Sequence, residues 1–311
     1  MVLDQVVAAS IQDPVTLAAV SGLVSGTASG FMSPAIKHGL SWISDRYKGH
    51  PKDATKTAQN NAINFFGQVN ICLEGQQQIQ GIEDKTKQAL ADPDYTSLFQ
   101  EAVLGAARTN SEQKHKLLAR LVTDRLTAEP DSLQNLAAHT ACNAVLQLTS
   151  KQLKILGAIY VIRHLPAPQH ITKISIDADR INVGIKWFLE EITPFYPIRW
   201  VSEEDLAHMA SMSCIAYVPQ PFAGSYYIDD WKLTTTIKHK LCPDERSGFM
   251  FSVEETDIRQ NPIGEDIWNV WDDCSVRRAS PTPAGTLIGM CVRDVESGHD
   301  RWPPTRANGV E

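Results

Sequence analysis

The sequence lacks the short motifs by which the commonest enzyme classes are recognised. It contains no G-x-x-x-x-G-K-[ST], no G-x-G-x-x-G and no H-E-x-x-H, the motifs typical of P-loop hydrolysis, dinucleotide binding and zinc proteolysis. The run that ends in Ser29-Gly30 is not a G-x-S-x-G nucleophile elbow, because Gly26 lies three residues before Ser29. We therefore expect no cofactor and no bound metal, and the missing motifs favour a protein that is not an enzyme without deciding the point. An enzyme with a dispersed active site in the C-terminal half is the alternative.

Closely spaced cysteines are also missing. The six cysteines lie 17 to 72 residues apart and form no C-x-x-C pair, which excludes a zinc ribbon and a dense disulfide scaffold. The segment Met1–Gln5 carries an acid where a secretory signal would carry Lys or Arg. These observations predict a cytoplasmic protein with free thiols.

The composition is that of a folded globular chain with no strong charge. Apolar residues make up 43% and charged residues 21% of the 311 residues, which excludes whole-chain disorder, a collagen-like fibre and a polytopic membrane protein. The formal net charge is −7. The chain as a whole therefore has no electrostatic attraction to nucleic acid or to anionic lipid, and nucleic acid is not an expected partner.

Prolines and tryptophans are scarce in the first part of the chain. Only 5 of 17 prolines and 1 of 7 tryptophans occur up to Leu165, so long helices are expected there. Pro166-Ala167-Pro168 would stop a helix that arrives from Leu165. We predict a mostly α protein, with an N-terminal antiparallel helical bundle over 1–165, a smaller α+β C-terminal domain over 166–296 and a flexible tail over 297–311.

Capping residues and apolar spacing predict individual helices. Thr149 and Gln152 form a capping-box pattern before a helix that reaches Tyr160, and Ser202 is a predicted N-cap for a helix through Cys214. Other helices are predicted over Ser111–Leu126, Asp177–Ile192 and, as one or two longer polar helices, 53–90. Short strands are predicted over Cys214–Val218 and Ser225–Ile228. A further helix has one apolar face, formed by Leu133, Leu136, Ala137, Ala141, Ala144, Val145 and Leu148.

Three glycines at four-residue spacing, Gly22, Gly26 and Gly30, lie in an uncharged stretch over 14–36. On a helix they would form a flat groove that allows close approach of a second helix. Each glycine lowers helix propensity by roughly 1 kcal/mol relative to alanine, so the run needs a packing reason. Three interpretations are open: a packing helix within a soluble fold, a seam for self-association, and contact with a membrane.

Charged clusters offer two further candidate sites. Lys114, Lys116, Arg120 and Arg125 lie on one predicted helix and could contact phosphates of nucleic acid, or could form an ordinary solvated helix face. Glu203-Glu204-Asp205 precedes His208 by one turn. That arrangement could bind a metal or exchange a proton, but acids in a first helical turn also complement the helix dipole.

Four stretches of the sequence resemble a known group of bacterial proteins. The stretch Glu112–Val122 and the helices around Leu133–Leu148 and Leu148–Leu156 resemble proteins of the Abi-alpha type and a related group of uncharacterised proteins. Thr282–Cys291 is similar to their closing T-x-x-G-x-x-[FI]-x-x-[CA] element. The resemblance implies a link to phage abortive infection and supplies no catalytic residues.

The expected function is therefore that of a bacterial helical interaction protein. We expect it to act as a sensor or effector of phage defence, through contact with a protein partner or through homo-oligomerisation. The alternative is a membrane-active effector that uses the segment 14–36 to associate with a bilayer.

Overall fold

The computed structural model describes residues 34–76, 89, 92–128, 132–174, 177–196, 201–217, 232–241, 253–273 and 276–297. This part of the chain is mostly helical, with thirteen α-helices and one two-stranded sheet. It forms two compact units, the first ending at Gln147 and the second starting at Leu148. This division lies before the boundary that the prolines at 166 and 168 predict.

The described part of the first unit consists of five helices. Helix α2 packs against α1, α3 and α4, and helix α5 packs against α3 and α4. Their bounds are α1 Pro34–Arg46, α2 Lys52–Gln76, α3 Pro93–Ala107, α4 Glu112–Thr127 and α5 Leu133–Gln147. The helix predicted from Ser111 and the helix predicted from Leu133 are confirmed. Of the predicted polar stretch 53–90, the residues up to Gln76 are helical.

Aromatic side chains form the centre of the first unit. The ring centroids of Phe65 and Phe99 lie 6.0 Å apart, those of Phe66 and Phe99 lie 6.4 Å apart, and those of Tyr95 and Phe99 lie 6.2 Å apart. All four side chains are buried. Such pairs contribute about 0.5–1.5 kcal/mol each beyond the burial of apolar area, so this cluster holds α2 and α3 together.

The second unit contains eight helices and two short strands in its described residues. The helices are α6 Ser150–Arg163, α7 Gln169–Thr172, α8 Asp177–Ile192, α9 Glu203–Ser211, α10 Leu233–Leu241, α11 Glu255–Arg259, α12 Pro262–Trp268 and α13 Pro283–Glu296. Single turns of 3₁₀ or π helix cover Thr193–Phe195, Asn269–Asp273 and Val276–Arg278. The helices predicted over Asp177–Ile192 and after Ser202 are confirmed, but the second ends at Ser211 and not at Cys214.

Helices α6 and α13 pack closely because Gly289 has no side chain. A Cβ atom at Gly289 would lie 2.6 Å from the carbonyl oxygen of Leu156 and 2.7 Å from the Cβ of Tyr160, closer than such atoms approach in proteins. Gly157 makes similar room for Phe195, whose ring would lie 2.3 Å from an added Cβ. These contacts explain why α6 belongs to the second unit, although it precedes the two prolines.

The sheet of the second unit is small and joins distant parts of the chain. Strand β1, Ile215–Tyr217, pairs antiparallel with β2, Ala279–Pro281, with Ile215 opposite Pro281. The predicted strand over 214–218 is therefore confirmed in its centre, whereas β2 has no signal in the sequence. The predicted strand 225–228 and nearly all of the tail 297–311 lie outside the described residues.

Candidate functional site

The predicted glycine groove lies outside the part of the chain that the structure describes, because Gly22, Gly26 and Gly30 all precede Pro34. The described helices include none that is long and apolar enough to cross a bilayer. The three interpretations of the glycine run therefore stay predictions.

The first residues of α4 are used to cap the ends of neighbouring helices. Lys114 Nζ donates a hydrogen bond to the carbonyl oxygen of Leu146, in the last turn of α5, at 2.8 Å. The buried His115 donates from Nε2 to the carbonyl oxygens of Ala106 and Thr109 at 3.1 and 2.9 Å. Lys114 and His115 therefore add side-chain donors to carbonyl groups at the C-terminal ends of α5 and α3, where intrahelical donors are lacking.

The other cations of α4 are paired with acids. Lys116 lies 2.8 Å from Glu112 one turn earlier. Arg120 lies 3.2 Å from Asp124, and both side chains are almost fully buried. Arg125, which is 5% exposed, donates from Nη2 to Asp92 Oδ2 at 2.8 Å.

The structure therefore corrects the picture of one basic surface on α4. Arg120 and Arg125 are buried, and the Lys114 ammonium is directed to a helix end. The four cations do not share an exposed face that could follow a phosphate backbone. The acidic partners of Arg125 lie in the loop before α3 and in its first turn, far away in sequence, so the spacing of residues along α4 does not reveal them.

The acidic cluster of α9 has a structural role. Ser202 and Asp205 form a capping box at the start of α9, and Thr149 and Gln152 form the predicted one at the start of α6. Gln152 joins the two boxes because its Nε2 donates to Asp205 Oδ1 at 3.2 Å, and its Oε1 accepts from His208 Nδ1 at 3.0 Å. These hydrogen bonds cap the N-termini of α6 and α9 and join the two helices.

The charge of Asp205 is stabilised by this network. Partial burial tends to raise the pKa of its carboxyl, but the hydrogen bonds from Lys151, from the Ser202 backbone and from Gln152 outweigh it, and the pKa is lowered. A carboxylate held ionised in this way is a poor general acid or base near neutral pH. In the described residues, no group of His, Cys, Asp and Glu side chains is arranged to hold a metal ion.

The described cysteines are free thiols, and two of them are poor nucleophiles. Cys72, Cys142, Cys214 and Cys291 form no disulfide. Burial raises the pKa of Cys214 to about 12, and burial together with the charge of Glu101 raises the pKa of Cys142. Since the thiolate is the reactive form, neither of these two is suited to covalent catalysis.

A groove of about 560 Å³ separates α8 from the α11–α12 junction. Its lining combines aliphatic and polar side chains, so it could accept a ligand with both characters. Neither His208 nor His239, two histidines of the C-terminal half, lines it. The lining residues are Asn182, Ile185, Lys186, Leu189, Glu190, Thr193, Asp257, Gln260, Asn261 and Ile263.

The outer face of α5 exposes two large apolar side chains to solvent. Leu133 and Leu136 were expected in the core, but they are 65% and 66% exposed, whereas Ala141 and Val145 of the same helix are buried. The exposed residues follow a three-four spacing along the helix. We call this face the outer seam, and it consists of Leu133, Leu136, Thr140, Asn143 and Gln147.

In the described residues, the fold and these sites define a mostly helical protein of two units whose candidate charged clusters form structural contacts and whose two most exposed large apolar side chains lie on one helix. Residues 32–240 match the model of an uncharacterised protein family, and the chain belongs to that family. The match does not connect the family with Abi-alpha proteins. No curated protein and no solved structure matches the chain.

Proposed function

We propose that this chain is a cytoplasmic helical interaction protein of bacterial phage defence. In this proposal the first unit is an antiparallel bundle, and the outer seam of α5 is the surface that meets another protein. The observation that carries the proposal is the exposure of Leu133 and Leu136, at 65% and 66%.

Removal of the two leucine side chains from water would contribute to the free energy of binding a partner. Full burial of a leucine side chain contributes roughly 1.5–3 kcal/mol. Single exposed apolar residues are common on protein surfaces. Leu133 and Leu136 lie three residues apart on a helix face without a charged residue, so a single partner surface could bury both side chains.

The phage-defence part of the proposal has a different support. It rests on the resemblance of Glu112–Val122, Leu148–Leu156 and Thr282–Cys291 to Abi-alpha proteins. In the first unit Lys114, within the first of these segments, donates to the carbonyl oxygen of Leu146 near the end of α5, the helix that carries the seam. The resembling segments bring no catalytic group.

The experiment compares phage infection of bacteria that express three forms of the full chain. The test variant is Leu133→Lys/Leu136→Lys, and the matched control is Val183→Lys, which changes an aliphatic side chain that is 42% exposed on α8. Wild type and control should reduce plaque numbers by tenfold or more, and the test variant should lose most of that protection, because two unpaired lysines would have to be buried in the contact.

Two results would contradict the proposal. If the wild-type chain protects against none of a broad phage panel, the defence role is wrong. If the double lysine variant protects as well as the wild type, the outer seam does not carry the function. Circular dichroism melting of each variant shows whether the fold is kept.

A further inference from the structure

We propose that the groove between α8 and the α11–α12 junction binds a short peptide with aliphatic side chains and with free ammonium and carboxylate ends. The groove belongs to the second unit and has a volume of about 560 Å³, which lies within the range of pockets that bind small ligands. The outer seam belongs to the first unit, so the two sites can be tested independently.

The floor of the groove is aliphatic. Ile185 and Leu189 lie one turn apart on α8 and are only 5% and 9% exposed, and Ile263 of α12 lines the opposite side. An aliphatic side chain of a ligand would be removed from water when it packs against this floor. A ligand without an aliphatic group would leave this part of the groove hydrated.

The rim formed by α8 carries two opposite charges that do not neutralise each other. Asn182, Lys186 and Glu190 follow one another at four-residue spacing, and all three are exposed. Among the described residues, Lys186 and Glu190 make no hydrogen bond and no ion pair. A cation that precedes an anion by four residues is the less favourable order for a pair within a helix, so both charges stay available to a ligand.

The separation of these two charges suits a dipeptide. Four residues of α-helix rise about 6 Å along the helix axis. Two residues of extended chain span at most about 7 Å, so the ammonium and the carboxylate of a dipeptide are separated by a similar distance. Lys186 would meet the carboxylate and Glu190 the ammonium, each through charge-assisted hydrogen bonds.

The opposite wall offers one acceptor and one donor for a peptide group. Nε2 of Gln260 donates to the backbone carbonyl oxygen of Asp257 at 3.1 Å, which leaves Oε1 of Gln260 as an acceptor. Oδ1 of Asn261 accepts from the backbone N–H of Ile263 at 2.9 Å, which leaves Nδ2 of Asn261 as a donor. A peptide N–H needs an acceptor and a peptide C=O needs a donor, so these two carboxamides can bind the peptide bond of the ligand.

Other classes of ligand fit the charges of the groove less well. An anion such as phosphate would meet Lys186, but Glu190 and Asp257 line the same groove and would repel it. A purely apolar ligand would cover Lys186 and Glu190 without pairing them, which costs desolvation energy. A zwitterion pairs with charges of both signs, and Asp257 on the opposite wall adds a second carboxylate for its ammonium.

Calorimetric titration of the full chain with L-leucyl-L-leucine tests the proposal. We expect a dissociation constant on the order of 0.1 mM for a ligand of this size. Two modified dipeptides each lack one charge, because N-acetyl-leucyl-leucine has no ammonium and leucyl-leucine amide has no carboxylate. Each should bind about tenfold more weakly than leucyl-leucine. No binding of leucyl-leucine at about 10 mM, or equal affinity for all three dipeptides, would overturn the proposal.

Two variants identify the partner of each charge. Lys186→Met should weaken the binding of leucyl-leucine about tenfold and leave the affinity for leucyl-leucine amide unchanged, because the amide has no carboxylate to pair. Glu190→Gln should weaken the binding of leucyl-leucine about tenfold and leave the affinity for N-acetyl-leucyl-leucine unchanged. The matched controls are Lys173→Met and Glu203→Gln, which change exposed residues of the same unit that do not line the groove. Both controls should bind leucyl-leucine as the wild type does.

Two further results would contradict the proposal. If Lys186→Met weakens the binding of leucyl-leucine and of its amide to the same extent, the cation does not meet the carboxylate. If a control variant weakens binding as much as a groove variant, the dipeptide binds elsewhere. Urea unfolding of each variant shows whether the fold is kept. The modified dipeptides probe the same two contacts on the wild-type chain, so the test does not depend on the variants alone.

Discussion

The side chain of Gln152 donates a hydrogen bond to Asp205 across 3.2 Å and thereby connects the starts of α6 and α9. The same amide closes the capping box of its own helix through the Thr149 backbone N–H at 3.0 Å and accepts from His208. One buried glutamine thus forms hydrogen bonds with three residues that belong to two helices of the second unit. Its neighbour Lys151 contacts the same carboxylate from the solvent side.

Replacement of Gln152 by Ala should destabilise the second unit by about 1–3 kcal/mol, because it removes a capping box and leaves polar partners unsatisfied. The matched control is Lys151→Ala, which removes an ion pair with a largely exposed lysine and should cost less than about 1 kcal/mol. Urea unfolding followed by tryptophan fluorescence measures both, since Trp187, Trp268 and Trp271 lie in this unit. Equal losses of unfolding free energy in Gln152→Ala and Lys151→Ala would contradict the role assigned to Gln152.

Gly285→Ala should strongly destabilise the second unit, by about 3 kcal/mol or more, because the added Cβ would lie 1.8 Å from the carbonyl oxygen of Cys214. That carbonyl also accepts from the Thr282 backbone N–H at 3.0 Å, so the clash falls on the end of the small sheet.

Gly67→Ala is the control for that substitution. A Cβ at Gly67 of α2 would meet no atom within 4 Å, and alanine is the better helix former by about 1 kcal/mol. We expect Gly67→Ala to raise the melting temperature and Gly285→Ala to lower it. A lower melting temperature in both variants would mean that another feature of the backbone at Gly67 disfavours alanine.

Lys240 should make the stability of the second unit rise with pH above neutrality. Burial lowers the pKa of its ammonium to about 7, while its Nζ donates to the carbonyl oxygen of Leu165. The folded pKa is below the unfolded value near 10.5, so between about pH 7 and pH 10 the unfolded chain binds the proton more tightly. Stability should therefore increase with pH across this window.

Lys240→Met should flatten that dependence. The variant should gain stability relative to the wild type at pH 6, where the buried charge is present, and less or none at pH 9. The pKa of His164 is lowered by burial and by the charges of Lys240 and Arg163, so it should rise in the variant. Urea unfolding at the two pH values and proton NMR of His164 measure these effects, and an unchanged pH profile would refute the assignment.

Arg125→Ala should destabilise the first unit by about 2 kcal/mol, because the buried guanidinium ties α4 to Asp92 and Asp94 at the start of α3. Lys116→Ala is the control, since its pair with Glu112 is exposed on both sides and should contribute about 0.5 kcal/mol or less. Far-UV circular dichroism during urea unfolding reports on this helical unit. A larger loss of unfolding free energy in Lys116→Ala than in Arg125→Ala would contradict the stabilising role assigned to the buried Arg125.

Local signals in the sequence located the helices well. Ser111, Thr149 and Ser202 each precede a helix and accept a hydrogen bond from the backbone three residues later. These interactions span a few residues, so the residue types and their spacing suffice to predict them.

Contacts between distant residues could not be predicted in the same way. Arg125 meets Asp92, and β2 pairs with β1 more than sixty residues away. The sequence therefore did not reveal the acidic partner of Arg125, and Ala279–Pro281 had no strand signal. The division between the units depends on α6 packing against α13, which Gly289 permits, and no local pattern around residue 147 indicates it.

The sequence by itself determined where most helices begin and that α5 contains no Lys, Arg, Asp or Glu. Only the tertiary structure decided which face of α5 is buried. The apolar spacing of a helix fixes which side chains lie together, but the neighbouring helices determine how much of that stripe they cover. Here α3 and α4 cover the alanines and Val145 and leave Leu133 and Leu136 in water.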